Sequence, residues 1–438
     1  MLNSIKKRFL SILPILFINI ASAQQFETPK VLKLLVDQSF QKYPRVAELN
    51  EMIKLNVVRV SLGKTAYLPV LNGDLSYRMM YPTPAITFPD GSGGTKEIHF
   101  QPIDNYNAGI NLAQPIVDLR VPAMLNKAKS ELETTQDNLE GYKIKLAYQV
   151  AQLYYAIIFL NKSIFVQEDQ IRLLRTTLDQ IGVRVKNGDA LNYDLVSTQV
   201  KYTNAENFHT ELQAQLDKQY NVLGMLTGVS GNTYLNDTTF NAYVFSISTD
   251  SVVAQAYRNN PELIIANDRI KTAGWDILTA ERSRMPVLNL QAGLGYKNGY
   301  MPDINTIAFN YYVGLGLTIP ILPASRPYYQ KKMAVINQNT FKLALETQKV
   351  NLNKDLLNAI NDIHKNQKKL ASADTLIKQA QLAMDLATDR YKYGVMTNLD
   401  LLTAMTNYKD AQLSQLQFEY NLLLSRMDLC QLAGLRWW

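Results

Sequence analysis

Cysteine, histidine and long apolar runs are scarce in this 438-residue chain. The only cysteine, Cys430, lies among leucines, so an intramolecular disulfide is excluded and a buried, unreactive thiol is predicted. The three histidines, at positions 99, 209 and 364, match no metal-ligand spacing. No HExxH, Walker A or GxSxG pattern occurs. We therefore expect no catalysis, no cofactor and no metal site.

An excess of charge of either sign is also nearly absent. The formal net charge is only +7 for the whole chain. Three of these positive charges lie within residues 6–8, at the start of a segment discussed next. Such a small surplus of basic residues argues against a nucleic-acid partner.

Residues 1–23 have the pattern of a secretory signal peptide. Basic residues at 6–8 precede an apolar stretch from Phe9 to Ile20, and small residues at 21–23 provide a cleavage site. The stretch is too short for a membrane anchor. Beyond it, no apolar run is long enough to cross a bilayer as a helix. An exported chain of this kind is periplasmic, secreted or a β-barrel in an outer membrane.

The chain contains an internal repeat. Residues 69–71, Pro-Val-Leu, recur as residues 286–288, and Gly188 recurs as Gly394 in a similar context. A duplication this long predicts that each half repeats the same order of elements. A Pro/Gly-rich insert over 82–104 is special to the first half, and we expect it to be an exposed loop. The predicted division is a first repeat over 24–228, a linker over 229–260 and a second repeat over 261–438.

Four segments alternate between apolar and polar residues, as half-buried β-strands do. They cover about 70–81, 105–114, 287–297 and 309–319. Each has roughly the length that a tilted strand needs to cross a membrane, and tyrosines cluster near the strand ends. Two ordinary hairpins on a soluble core are the alternative. Four strands cannot close a membrane barrel, so a barrel would require strands from several copies of the chain.

Very long helices follow each pair of strands. Apolar residues recur every seven positions in the first half and again from about Tyr328 to Tyr393, a pattern typical of coiled-coil packing. Some 65 residues at 1.5 Å rise make a rod of about 100 Å. A second helix follows each glycine turn, which predicts helical hairpins over about 122–227 and 325–434. The first heptad row is Leu125, Leu132, Leu139, Leu146, Leu153 and Leu160.

The same order of elements occurs twice after the signal peptide. In this respect the chain resembles the TolC-like outer membrane efflux protein family. The resemblance covers essentially the whole mature chain. One specific feature is the sequence at each hairpin tip, over 184–195 and again over 390–401. The other is the set of prolines that flank the strands, namely Pro69, Pro115, Pro286 and Pro320.

The resemblance implies a mainly α fold with membrane β-strands. In that family three copies contribute four strands each to one outer-membrane β-barrel, and their helical hairpins form an α-barrel, a tunnel through the periplasm. It also implies a homotrimeric channel-tunnel that exports drugs, metabolites, ions or proteins. The partners would be outer-membrane lipid, an inner-membrane pump and a periplasmic adaptor (membrane fusion) protein. From the residues alone, a periplasmic coiled-coil adaptor or scaffold without a pore remains the alternative.

The resemblance also points to a gate at the periplasmic tip. Asp194 aligns with an aspartate that faces the constriction in the family, and Tyr391 aligns with a tip tyrosine. Met396 stands where the family has a linking arginine, so Lys186 or Lys392, or one of the two arginines named next, could supply that link. The candidate gate comprises Asp194, Asp400, Tyr391, Arg184, Arg390, Gly188 and Gly394.

A purely structural role is also open for several of these residues. Gly188 and Gly394 suit left-handed helix ends, and the aspartates are favourable at helix N-termini. Asn192 and Asn398 are predicted to be helix N-caps. The terminal pair Trp437-Trp438 predicts either packing or anchoring at an interface.

Overall fold

The computed structural model describes residues 29–89, 91, 93–229, 249–321 and 325–438. The predicted signal peptide and most of the predicted linker lie outside these residues. In the described part of the chain, none of the helices is long and apolar enough to cross a membrane. The elements are α1 Lys30–Lys42, α2 Pro44–Thr65, β1 Val70–Met79, β2 Ala85–Pro89, β3 Thr95–His99, β4 Asp104–Val117, α3 Arg120–Lys186, α4 Asn192–Thr227, α5 Thr249–Asn259, α6 Pro261–Arg282, β5 Val287–Lys297, β6 Ala308–Thr318, α7 Ser325–Lys392 and α8 Asn398–Leu432.

Four strands form one antiparallel sheet in the order β1-β4-β5-β6. Its register brings the alternating patterns of all four strands into phase, so that apolar side chains share one face and polar or small residues share the other. The predicted alternation is therefore confirmed. One apolar row across the sheet is Leu71, Leu112, Ala292 and Val313. The neighbouring row on the other face is Asn72, Asn111, Gly293 and Tyr312.

Two strand features differ from expectation. Strand β4 continues past Pro115 to Val117, with a register shift between these two residues, because proline has no N–H to donate to the ladder. The insert predicted as a loop contains a second sheet, the hairpin β2–β3. Gly91 and Gly93 lie between these strands with φ of +74° and +88°, values that a turn of this kind takes most easily at glycine.

The two long helices, α3 and α7, are 67 and 68 residues long. Helices α6 and α8 lie end to end between them: both contact α3 and both contact α7. The junction is closed where Asn260 Nδ2 donates to the Leu432 carbonyl at 2.9 Å. Helices α2 and α4 pack on α3 as well. The long helices thus run the full length of the helical region, and two shorter helices placed end to end cover the same length.

The largest core lies at the middle of the helical region, which we call the equator. It is built from α1, α2, α3, α4 and α8 and is closed by the C-terminal residues. The ring of Trp437 meets Tyr148 edge-on at 5.9 Å, and the ring of Trp438 meets Phe40 at 6.0 Å. The tryptophan pair therefore packs in this core. Cys430 is buried there too, which confirms the predicted buried thiol, and burial raises its pKa to about 12.

Candidate functional site at the helical tip

Both hairpin tips end their first helix in the same way. Gly188 has φ of +81°, and the N–H of Asp189 donates to the Arg184 carbonyl at 2.8 Å. Gly394 has φ of +72°, and the N–H of Val395 donates to the carbonyl of residue 390 at 3.0 Å. These are Schellman turns, in which a left-handed glycine lets the chain satisfy the last carbonyl groups of the helix. The predicted role of both glycines as helix terminators is confirmed.

The predicted N-caps are wrong in both hairpins. Asn192 and Asn398 are the first residues of their helices, and the cap position belongs to the residue before each. Thr397 caps α8 in a reciprocal box: its Oγ1 accepts from the Asp400 N–H at 3.2 Å, and the Asp400 carboxylate accepts from the Thr397 N–H at 3.3 Å. Its counterpart Leu191 has no side chain that can cap. The Thr-x-x-Asp spacing was the sequence signal that could have located this cap.

The two aspartates differ more than the repeat suggests. The carboxylate of Asp400 is exposed and serves the cap of α8. Asp194 is half-buried, and its main-chain carbonyl accepts from Thr198 Oγ1 at 2.8 Å and from Asn398 Nδ2 at 3.2 Å. Asn398 Nδ2 lies 3.0 Å from Thr198 Oγ1 as well. The backbone of Asp194, rather than its carboxylate, therefore joins the two hairpins.

A second contact between the hairpins involves a ring and a cation. The Arg184 guanidinium lies 5.0 Å from the centre of the Tyr391 ring, and Tyr391 is buried. Of the basic residues that could replace the missing arginine link, Arg184 is the one that reaches the other hairpin here. Arg390 is exposed, and Lys392 pairs with Asp389 of its own helix at 3.6 Å.

Beneath these contacts lies a small apolar core shared by α3, α4, α7 and α8, which we call the tip cluster. Met396, at the place of the family's linking arginine, is half-buried and packs against this cluster. It acts as an apolar filler at that position. The buried members are Leu174, Ile181, Ala205, Ala387, Tyr391, Leu401, Leu402 and Met405.

Charges at the tip follow the helix dipoles. Basic residues occupy the last turns of α3 and α7, and an aspartate occupies the first turn of α4 and of α8. Both placements stabilise helix ends. Among the described residues, no group of three or more His, Cys, Asp or Glu side chains is arranged to hold a metal ion.

The polar face of the sheet carries a network that sequence reasoning missed. Asn111 donates from Nδ2 to the Asp74 carboxylate and accepts at Oδ1 from the Tyr312 hydroxyl at 3.1 Å. The Tyr312 ring lies over Gly293, where a Cβ would come within 2.5 Å of it. The alternation predicts which face these residues share, but only the register reveals that β1, β4 and β6 are linked through them.

Comparisons with known proteins match both halves of the chain. The outer membrane efflux protein family matches residues 50–229 and 252–435. The outer membrane efflux protein BepC of Brucella suis is 22% identical over 412 residues, covering 90% of this chain and 83% of BepC. The outer membrane protein TolC of Vibrio cholerae is 21% identical over 338 residues, covering 76% of this chain and 77% of TolC.

The fold is also shared with solved channels. The structure of CusC superposes with a TM-score of 0.79 at 16% identity, covering 98% of this chain and 99% of CusC. The family match decides between the open alternatives in favour of an outer-membrane efflux channel, and against both an enzyme and a scaffold without a pore. The predicted internally duplicated, mainly α fold and the predicted outer-membrane location are confirmed. The chain belongs to the outer membrane efflux protein family.

Proposed function

We propose that three copies of this chain close into one channel, with a barrel in the outer membrane and a helical tunnel in the periplasm. The sheet supports closure because β1 and β6 are its edge strands. An edge strand leaves backbone N–H and C=O groups free to pair with another chain. Pairing β6 of one copy with β1 of the next continues the antiparallel order, and three copies supply twelve strands.

The observation that carries this proposal is a difference in burial between equivalent positions of the two long helices. Ile144 and Ala151 of α3 are 5% and 1% exposed. Their equivalents in α7, Val350 and Leu357, are 69% and 54% exposed. The apolar stripe on α7 also includes Leu343, seven residues before Val350. A second copy placed against α7, as α6 and α8 are placed against α3, buries this stripe.

The sheet supports a conduit as well as an assembly. Its apolar face suits contact with lipid, and its polar face suits a water-filled lumen. Hydrogen bonds hold three side chains of the polar face, Asp74, Asn111 and Tyr312, against the sheet. Transport through such a lumen is passive, so an inner-membrane pump supplies the energy and selects the drug, metabolite, ion or protein that is exported.

The helical tip is the proposed gate and docking point. The hairpin tips expose apolar side chains, which a periplasmic adaptor can cover. Asp194 and Arg184 take part in contacts that hold the two hairpins together, and opening requires such contacts to separate. The exposed apolar residues at the tips are Leu191, Tyr193, Tyr393, Val395 and Leu399.

Two measurements test the proposal. Native mass spectrometry of the protein in detergent should give a trimer, and Val350→Asp with Leu357→Asp should reduce it to monomers. Asn351→Asp, exposed on the same helix about a quarter turn from the stripe, is the matched control and should stay trimeric. A monomeric wild-type protein would contradict the assembly.

The second measurement is single-channel recording in a planar lipid bilayer. Discrete, small conductance steps are expected from the trimer. Asp194→Asn should raise the conductance if its carboxylate narrows the closed tip, whereas Asp400→Asn should act only through the loss of the α8 cap. A protein that never inserts into the bilayer would contradict the channel proposal.

A further inference from the structure

All four connections between helices and the four-stranded sheet lie at one end of that sheet. They lead from α2 into β1, from β4 into α3, from α6 into β5 and from β6 into α7. We call this end of the sheet the inner rim. The opposite end, the outer rim, carries the β2–β3 hairpin and the connection from β5 to β6. In the proposed channel the helices extend into the periplasm, so the inner rim lies at the periplasmic surface of the outer membrane.

Basic residues concentrate at the inner rim. The four connections, together with the eight nearest residues of each helix, contain nine basic and three acidic residues. These segments are 58–69, 118–127, 275–286 and 319–332. The outer rim shows no such excess, because residues 78–104 and 297–308 contain three basic and four acidic residues. The small positive charge of the whole chain is therefore distributed unevenly between the two ends of the sheet.

The acidic residues of the inner rim do not neutralise this excess. Each of the three is paired with a basic residue of the same rim, and the pairs, with N–O distances of 2.6, 2.6 and 2.5 Å, are Arg120–Asp118, Lys127–Asp276 and Lys331–Glu281. Four further basic residues of the rim are exposed and form no ion pair with any residue that the structure describes. We call these four the basic collar, and they are Lys64, Arg284, Arg326 and Lys332. Their charges are available to an anion outside this copy.

The helix dipoles do not explain why basic residues occupy this rim. Both long helices begin here without an acidic residue in the first turn, and instead Arg120 starts α3 and Arg326 lies in the first turn of α7. A helix N-terminus favours negative charge, as the aspartates at the starts of α4 and α8 illustrate at the tip. The inner rim is thus basic where helices begin as well as where they end. Such an arrangement is expected if the charges serve an external anion.

Exposed tyrosines lie among the basic residues of the inner rim. Tyr67, between α2 and β1, is 45% exposed, and Tyr328, in the first turn of α7, is 52% exposed. Tyrosine is favoured at the interface between a membrane and water, where its ring and its hydroxyl meet different surroundings. Lysine and arginine near the same interface are attracted to anionic lipid. Both residue types therefore match the headgroup layer of a membrane.

We infer that the basic collar binds the headgroups of anionic phospholipids in the periplasmic leaflet of the outer membrane. Lysine and arginine donate to the phosphate oxygens of a headgroup, and charge complementarity selects lipids with a net negative charge. Phosphatidylglycerol has such a charge, whereas the ammonium group of phosphatidylethanolamine balances its phosphate. The inference rests on the proposed barrel, and it assigns the collar the role of fixing the depth of the sheet in the membrane.

Native mass spectrometry of the full chain in detergent tests the preference for one lipid. With phosphatidylglycerol and phosphatidylethanolamine added in equal amounts, the wild type should retain several-fold more phosphatidylglycerol per copy. The collar variant should lose this preference, and it carries Lys64→Gln, Arg284→Gln, Arg326→Gln and Lys332→Gln. The matched control should keep it, and it loses four exposed charges elsewhere on the helices through Lys201→Gln, Lys218→Gln, Lys368→Gln and Lys378→Gln. Should the collar variant not fold, the pairs 64 with 284 and 326 with 332 should each lose part of the preference.

Thermal unfolding in the same mixtures gives a second readout. Phosphatidylglycerol should raise the unfolding midpoint of the wild type and of the control, but not of the collar variant. Glycerol phosphate, which has the phosphate without acyl chains, should leave all three midpoints unchanged, and an equal rise with it would assign the collar to a soluble anion and overturn the inference. An equal lipid preference in the wild type and the collar variant also overturns it, and so does a control that loses the preference. Failure of the proposed function is distinct, because lipid is counted per copy and a wild type without trimers or channels reveals that failure separately.

Discussion

The equator and the tip are built by the same repeated helices, yet they are held together in different ways. At the equator, five helices and the C-terminal residues enclose a large core that includes Tyr148, Tyr154 and Trp437. At the tip, the four helices share a small cluster, and large apolar side chains such as Tyr393 lie open to solvent. The proposed gate needs a section that keeps its shape and a tip that can rearrange. The large core at the equator and the small cluster at the tip support that proposal.

The glycines that end the helices show the same contrast. A Cβ on Gly434, at the equator, would lie 2.2 Å from the Asn259 carbonyl oxygen. A Cβ on Gly394, at the tip, would meet nothing within 4 Å. Both residues have positive φ, so the backbone requirement is shared. Only the equator adds a close approach of a second chain segment.

The largest effect is expected from emptying the equatorial core. Tyr148 is fully buried, contacts Trp437 edge-on and donates its hydroxyl to the Leu435 carbonyl at 3.2 Å. Tyr148→Ala should lower the free energy of unfolding by about 3–5 kcal/mol, as for other large aromatic residues in cores. Denaturant unfolding followed by tryptophan fluorescence measures it. Tyr393→Ala, on the exposed tip, is the control and should change the value by about 0.5 kcal/mol or less.

The next largest effect is expected from replacing helix-ending glycines with alanine, which separates the cost of steric crowding from the cost of backbone strain. Gly394→Ala should cost about 1–2 kcal/mol, the strain of a left-handed residue with a Cβ. Gly434→Ala should cost clearly more, because its Cβ also clashes with the Asn259 carbonyl. Thermal unfolding midpoints of the two variants give the comparison. Equal midpoints would show that the junction beside Asn259 yields easily and would weaken the contrast between equator and tip.

A smaller effect is expected from the helix cap at the tip. Thr397→Ala removes the side-chain half of the box, the Oγ1 that accepts from the Asp400 N–H, and should cost about 1 kcal/mol. Leu191→Thr places the same Thr-x-x-Asp pattern before α4 and should stabilise the first hairpin by a similar amount or less. Amide hydrogen exchange over the first turns of α4 and α8 reads out each change locally. An increase in exchange along the whole of α8 would contradict a local capping role.

The smallest expected effect is a pH dependence of stability that arises in the helices between the equator and the sheet. Burial, followed by a hydrogen bond shared with Asp137, raises the pKa of Asp268 on α6 from 3.8 to about 6. Because the folded pKa is the higher one, folding favours the protonated carboxyl. The protein therefore loses stability as pH rises from about 4 through about 6. The loss should be about 1 kcal/mol or less, since solvent screens this half-exposed side chain.

Asp268→Asn removes that pH dependence. The variant should gain in unfolding midpoint over the wild type at pH 7.5 and show no gain at pH 4. Asp276→Asn, which breaks an ion pair with Lys127 at 2.6 Å on the same pair of helices, should show no gain at pH 7.5. A gain for Asp268→Asn that is the same at both pH values would mean that packing, and not protonation, is responsible.

Periodic features of the chain were predictable because they depend on local geometry. A period of two assigned each side chain of β1, β4, β5 and β6 to a face, and the observed register agrees. A period of seven predicted the long helices, and Gly188 and Gly394 were predictable as their ends, since a left-handed turn favours glycine. The short hairpin β2–β3 was missed because its strands of five residues give too little alternation to read.

Pairwise contacts were not predictable, because they depend on which helices become neighbours. Asparagine is a common helix-capping residue, yet the Asn398 side chain donates a hydrogen bond to the Asp194 main-chain carbonyl on the other hairpin. Trp437 and Trp438 gave no local signal for the core that they close. The link between Arg184 and Tyr391 also joins residues that are far apart in the chain.

The duplicated order of elements, the two faces of the sheet, the lengths of the helices and their glycine ends can all be read from the amino-acid sequence. Each of these follows from the preference of a residue for a backbone geometry or from the period of its apolar neighbours. The placement of α6 and α8 between α3 and α7 follows from helix packing, which buries α3 and leaves the stripe on α7 exposed. Two equal repeats acquire unequal surroundings in this way, because a single copy can enclose only one of its two long helices.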